Sequence, residues 1–84
     1  MQRVNEPVRV GAVFGPGSQI RPVWFGWRRR KYEIGEITYR WHEREGATTA
    51  IHFTVTAGGA LYELVFDTGH QSWVLAGQEA EEVR

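Results

Sequence analysis

Ala50-Ile51-His52-Phe53-Thr54-Val55-Thr56-Ala57-Gly58-Gly59-Ala60-Leu61-Tyr62-Glu63-Leu64-Val65-Phe66-Asp67 is the stretch that decides the fold. Gly58-Gly59 suits a two-residue hairpin turn in which both central residues take positive φ. With that turn Ile51 faces Phe66, Phe53 faces Leu64 and Val55 faces Tyr62, all large and apolar on one face. The other face holds Ala50, His52, Thr54, Thr56, Leu61, Glu63, Val65 and Asp67. A slip of one residue would set Phe53 against Val65 or Glu63, so the pattern specifies its register. Thr68-Gly69 reads as the next turn and sets Leu64 opposite Trp73 and Tyr62 opposite Leu75. Residues 49–76 therefore read as a three-stranded meander with one apolar face.

The first half is read outward from there. Val8, Val10, Ala12 and Phe14 alternate with Arg9, Gly11 and Val13 and give a first strand. After the loop Gly15-Pro16-Gly17-Ser18, a second strand runs from Ile20 to Trp27, and Pro22 marks it as edge or bulged. Arginine resists positive φ, so a four-residue loop from Arg28 to Lys31 is expected next. It pairs Trp27 with Tyr32, Phe25 with Ile34 and Val23 with Glu36, and sets Trp24 across from Gly35. The third strand then changes phase: Tyr32 and Ile34 share a face, but after Gly35 the apolar set is Ile37, Tyr39 and Trp41. A glycine at a phase change predicts a bulge or a sharp bend, the device by which one strand serves two sheets.

One flat sheet cannot bury so many apolar residues. The expected fold is all-β, a small closed or half-open antiparallel β-barrel or roll of five to six strands with little or no helix. Its expected core is Val8, Val10, Val23, Phe25, Ile34, Ile37, Tyr39, Ile51, Phe53, Val55, Tyr62, Leu64, Phe66, Trp73 and Leu75. Residues 1–76 make the single domain, and 77–84 are expected to be an acidic, frayed tail.

Eighty-four residues lie near the lower limit for a self-sufficient core. The chain has no cysteine, which excludes disulfides and thiolate metal sites and suits a reducing cytoplasm. The N-terminal residues lack the apolar segment of a signal peptide, and no apolar run reaches membrane-spanning length, so no membrane partner is expected. The formal charge is zero but polarised. Residues 1–44 carry nine of the ten basic residues and four acids, and residues 45–84 carry Arg84 against six acids. A domain so divided offers a positive end to an anion.

Charge and aromatic rings concentrate together where Trp24-Phe25-Gly26-Trp27 runs into Arg28-Arg29-Arg30-Lys31. Cations beside ring faces are what a binder of nucleic-acid backbone and bases needs. The candidate nucleic-acid-binding residues are Arg21, Trp24, Arg28, Arg29, Arg30 and Lys31, since arginine pairs bidentately with phosphate and stacks on bases. A solvated turn that serves solubility is the plain alternative. The outer face of the meander holds Leu61, Val65, Val74 and Ala76, a strip that would suit a protein partner or a second copy.

Catalytic motifs are thin. Asp67-Thr68-Gly69 matches the tripeptide of aspartic proteases, but only fifteen residues follow Gly69, and the second apolar segment such enzymes need is missing. His42, His52 and His70, without cysteine, fall short of a converging zinc set. Ser18 and Ser72 lie in or near turns with no nucleophile elbow. No catalytic residue, metal or cofactor is expected.

The order Glu6-Pro7-Val8, Pro22-Val23-Trp24-Phe25-Gly26-Trp27-Arg28, Tyr32, Trp41, Leu61-Tyr62-Glu63-Leu64, then Thr68-Gly69 ahead of Trp73-Val74-Leu75 resembles a family of small bacterial domains of unknown function. Its members occur alone or near error-prone Y-family DNA polymerase homologues. The resemblance spans about residues 6–76. The family usually places a glycine in the Trp-Arg turn, where this chain has Arg29. It implies no catalytic residues. The expectation is a non-catalytic bacterial binding module that takes DNA or RNA on the basic-aromatic hairpin as an accessory to DNA repair. The alternative is a protein-interaction or assembly module using Leu61, Val65 and Val74.

Overall fold

The computed structural model describes residues 1–17 and 19–80. Eight strands follow one another: β1 (Gln2–Pro7), β2 (Arg9–Phe14), β3 (Ile20–Trp27), β4 (Arg30–Glu33), β5 (Glu36–Glu45), β6 (Thr48–Ala57), β7 (Ala60–Asp67) and β8 (Ser72–Ala80). They build two antiparallel sheets, ordered β1-β8-β7-β6-β5 and β2-β3-β4. The chain changes sheet twice, at Val8 and at Gly35, so β1–β2 and β4–β5 are each one bent strand. At the second bend the Gly35 N–H donates to the Thr56 carbonyl at 2.8 Å, and a Cβ on Gly35 would lie 3.2 Å from Thr56 Oγ1. A glycine lets the bend sit this tightly on β6. The result is an all-β, half-open barrel.

The two sheets enclose one core. Ile20, Phe25 and Trp27 meet Ile51, Phe53, Val55, Tyr62, Leu64, Phe66 and Leu75, with Val8, Val10, Ile34, Ile37 and Trp73 packed around them. Phe25, Phe53, Leu64 and Leu75 are 0 % exposed, each contributing about 1.5–3 kcal/mol by leaving water. The three pairs expected across Gly58-Gly59 are all present, with φ of 55° and 81° at the two glycines.

The observed pairing departs from the expected one in three places, the second of them the bulged alternative that Pro22 had offered. On β5, Ile37 lies opposite Val55 but Tyr39 opposite Thr54, so Thr38 is an extra residue. This bulge turns Tyr39, expected in the core, outward to 64 % exposure. Arg40 takes the inward position, its guanidinium 5.1 Å from the centre of the Phe53 ring and its Nη2 donating to the Ile20 carbonyl at 2.6 Å. On β3, Gly11 faces Trp24 but Ala12 faces Pro22, which makes Val23 the bulged residue. Val23 therefore leaves the expected core, while Ile20 and Pro22 before it and Phe25 and Trp27 after it are all buried. The third concerns the β7–β8 connection, which has four residues rather than two. Leu64 faces Leu75, and Phe66 faces Trp73. A two-residue turn would need positive φ at β-branched Thr68, whereas the longer loop needs it only at Gln71 (54°).

Residues 2–7, not anticipated as a strand, pair along β8 with a bulge between Arg3 and Glu6. β8 itself continues to Ala80, opposite Ala60, so the segment expected to fray from residue 77 is strand that far. Residues 81–84 and Ser18 lie outside the described residues.

Candidate nucleic-acid interface

Two residues, not four, connect β3 to β4. Trp27 pairs with Arg30, Gly26 with Lys31, Phe25 with Tyr32 and Trp24 with Glu33. Arg28 and Arg29 take φ of 52° and 65°. The expected loop fails because a primed two-residue turn follows the natural twist of the strands. It also brings Arg30 and Lys31 into the ladder and stacks the Phe25 ring on Tyr32, with centroids 4.9 Å apart and planes 5° apart. These gains offset a cost of about 1–2 kcal/mol for each non-glycine residue at positive φ. Arg30 and Lys31 thus belong to a strand and alternate. Arg30 lies 5.9 Å from the centre of the Tyr32 ring at the end of the core, and Lys31 lies beside Trp24 on the outer face.

An open groove of about 410 Å³ runs from the outer face of β2-β3-β4 round the tip of the β3–β4 hairpin, lined by Trp24, Gly26 and Trp27 and by five cations, Arg9, Arg28, Arg29, Arg30 and Lys31. The room for Trp24 comes from Gly11, directly opposite on β2, and not from Gly35. Two of the cations have carboxylate partners. Arg28 Nη2 donates to Glu6 Oε2 at 3.2 Å and its guanidinium covers the Trp27 ring at 4.5 Å. Lys31 Nζ is 3.3 Å from Glu33 Oε1. Glu6 also accepts the Trp27 indole N–H at 2.8 Å. That hydrogen bond first, and Arg28 second, hold its carboxyl below the ordinary value. Arg9, Arg29 and Arg30 form no ion pair among the described residues.

No protein-family model, curated protein or solved structure matches this chain. Of the six sequence candidates, Trp24, Arg28, Arg29, Arg30 and Lys31 line one groove, and Arg21 does not. Arg21 sits opposite Val13 toward the far end of β3, beside Gln19 and Arg40 in a separate hollow. Arg9 takes its place in the groove. Its outward direction was readable from the alternation with Val8 and Val10, but its position opposite Gly26 depends on the Val23 bulge.

The outer face of the five-stranded sheet carries the second candidate surface. Leu61, Val65 and Val74 are half-buried there, and the register places Trp41, His52, Val65, Val74 and Pro7 side by side across all five strands. His52 is held on three sides: it stacks on Trp41 with centroids 4.7 Å apart, its Nδ1 is 2.9 Å from Glu63 Oε2, and its Nε2 is 3.3 Å from Glu43 Oε1. His42 lies opposite Ile51 and so points to the other face of the sheet from His52. No group of three or more His, Cys, Asp or Glu side chains among the described residues is arranged to hold a metal ion. Asp67 uses its carboxylate on its own loop. Oδ1 accepts the backbone N–H of Gly69 at 2.8 Å and of His70 at 3.2 Å, and Oδ2 meets His70 Nδ1 at 2.9 Å. These bonds, that of the His70 side chain foremost, hold the Asp67 carboxyl below its usual range.

Proposed function

We propose that this domain is a non-catalytic nucleic-acid-binding module that grips phosphates with the β3–β4 hairpin. The supporting observation is the turn. Both of its central positions have positive φ, yet both are arginine. The β6–β7 turn in the same molecule uses two glycines for the same geometry. A turn shaped by stability alone favours Asn-Gly or Gly-Gly. Backbone strain kept at one place is a reason to look for function there. Arg28 has a structural use through Glu6 and Trp27, but Arg29, which is exposed, has no ion-pair or hydrogen-bond partner among the described residues to justify its conformation. The resemblance to small bacterial domains found near Y-family polymerase homologues supports a cytoplasmic setting beside DNA repair.

The test is a fluorescence-anisotropy titration with labelled single- and double-stranded DNA and RNA at several salt concentrations. Binding that weakens with salt, and weakens again in Arg29→Ala with the melting temperature unchanged, is the expected result. No binding at low salt would reject the proposal. A second reading, assembly through the outer face of the five-stranded sheet, is favoured by the uninterrupted row from Trp41 to Pro7. It predicts a dimer in sedimentation that Val65→Asp abolishes, and a monomer at all concentrations counts against it.

A further inference from the structure

We propose that Trp24 is a stacking platform for an unpaired base, so that the ligand of the hairpin groove is single-stranded nucleic acid. This rests on the reading of the hairpin as a phosphate-binding element. The indole lies where two side chains are missing. A Cβ on Gly11 would stand 2.0 Å from Trp24 Nε1, 2.3 Å from Cε2 and 2.6 Å from Cδ1, and a Cβ on Gly26 would stand 4.0 Å from Cζ3. The five-membered half of the ring thus fills the side-chain space of Gly11, and the six-membered half reaches back toward Gly26. The ring lies on the sheet with one face against backbone and the other toward the groove.

Cations surround it. Lys31 Nζ is 5.2 Å from the ring centre, Arg9 Nη2 is 4.0 Å from the Cβ position of Gly26, and Arg28 and Arg29 close the hairpin end. The Lys31 side chain is 60 % exposed, so its ammonium can swing off the ring toward Glu33 and clear that face for a base. Flat aromatic faces within a basic groove bind bases without sequence preference. A duplex keeps its base faces stacked inside, and this ring does not protrude to reach them. The hairpin cannot enter a major groove as a free ribbon either, because Phe25 and Trp27 on its other face are buried in the core.

The decisive comparison uses the whole chain and four probes of equal length: oligothymidylate, oligouridylate, an abasic deoxyribose-phosphate strand and a duplex. Oligothymidylate is expected to bind about 5- to 150-fold more tightly than the abasic strand, the range for one stacked base. The duplex should be the weaker ligand for its phosphate count. Trp24→Ala should erase the preference for bases and leave the salt slope in place. If oligothymidylate and abasic strand bind equally, the phosphate grip stands and the platform is overturned. Tighter binding of the duplex overturns it as well. If no probe binds, the hairpin reading fails and the platform with it. The comparison of based and abasic strands decides the matter on the unaltered protein, even if Trp24→Ala does not fold. The ratio of oligothymidylate to oligouridylate then distinguishes DNA from RNA.

Discussion

Glu6 joins the first strand to the hairpin through two side-chain bonds, one from the Trp27 indole and one from Arg28. Its carboxyl is held below the ordinary value near 4.5, so the folded chain keeps the anion more readily than the unfolded one. The stabilisation is therefore present above that ordinary value and is lost as pH falls through the lower, folded-state value. Glu6→Gln should flatten the acid limb of a plot of melting temperature against pH, with the largest gap from the parent chain near neutrality. Parallel curves for the two proteins would show that Glu6 carries no pH-linked stability. In the core, Phe53→Ala and Leu64→Ala should each cost about 2–5 kcal/mol in chemical denaturation, against near silence for Thr54→Ala on the opposite face. A severe Thr54→Ala would mean a register shifted by one. These core positions were legible because a strand's period of two leaves a wrong assignment nowhere to hide. Tyr39 was not, because it sits just beyond a bulge that no glycine announces, and Val23 was not, because Pro22 left edge and bulge equally open and did not say which residue is the extra one. Arg40 escaped notice for the related reason that a cation at a core-facing position looks, in sequence, like solvent.

Turns divide the same way at the scale of elements. Gly58-Gly59 declared its geometry, since glycine is the residue that takes positive φ without strain. Arg28-Arg29 concealed the same geometry, and Thr68-Gly69 suggested a turn shorter than the loop that Asp67 organises. The resulting error in the β3–β4 pairing was two residues, an even number, so every side chain kept its face while its partners changed. That explains why Trp24 lies on the face opposite Phe25 in either register but beside Gly11 rather than the expected Gly35. Replacing the pair by Arg28→Asn together with Arg29→Gly tests what the arginines do. Relief of positive-φ strain should stabilise the domain by about 1 kcal/mol, after allowing for the exposed Arg28–Glu6 pair. The same double variant should bind nucleic acid more weakly. A denaturant midpoint that rises while affinity falls would separate fold from function at this turn. Unchanged affinity would mark the arginines as incidental.

Charge is organised at the scale of the whole molecule by sheet rather than by sequence half. Residues 9–33, which span the three-stranded sheet, carry six cations and one acid. Residues 1–8 and 34–80, which span the five-stranded sheet, carry three cations and seven acids. The sheets lie back to back across the core, so the molecule has a basic outer face and an acidic one. A polyanion is steered to the first and repelled by the second. Of the groove cations, Arg28 and Lys31 are already paired, which leaves Arg9, Arg29 and Arg30 to neutralise phosphates. Three contacts on a single strand predict a slope of log affinity against log salt of about −2. Charge reversal separates this local account from a general effect of net charge. Arg9→Glu, in the groove, and Arg44→Glu, on exposed β5, change the formal charge equally. Arg9→Glu should lower affinity at every salt concentration and make the slope shallower. Arg44→Glu should act only at low salt, where the field of the distant sheet still reaches the ligand. Equal losses from both variants, with equal slopes, would mean that the protein meets nucleic acid through its overall charge and that the groove plays no special part.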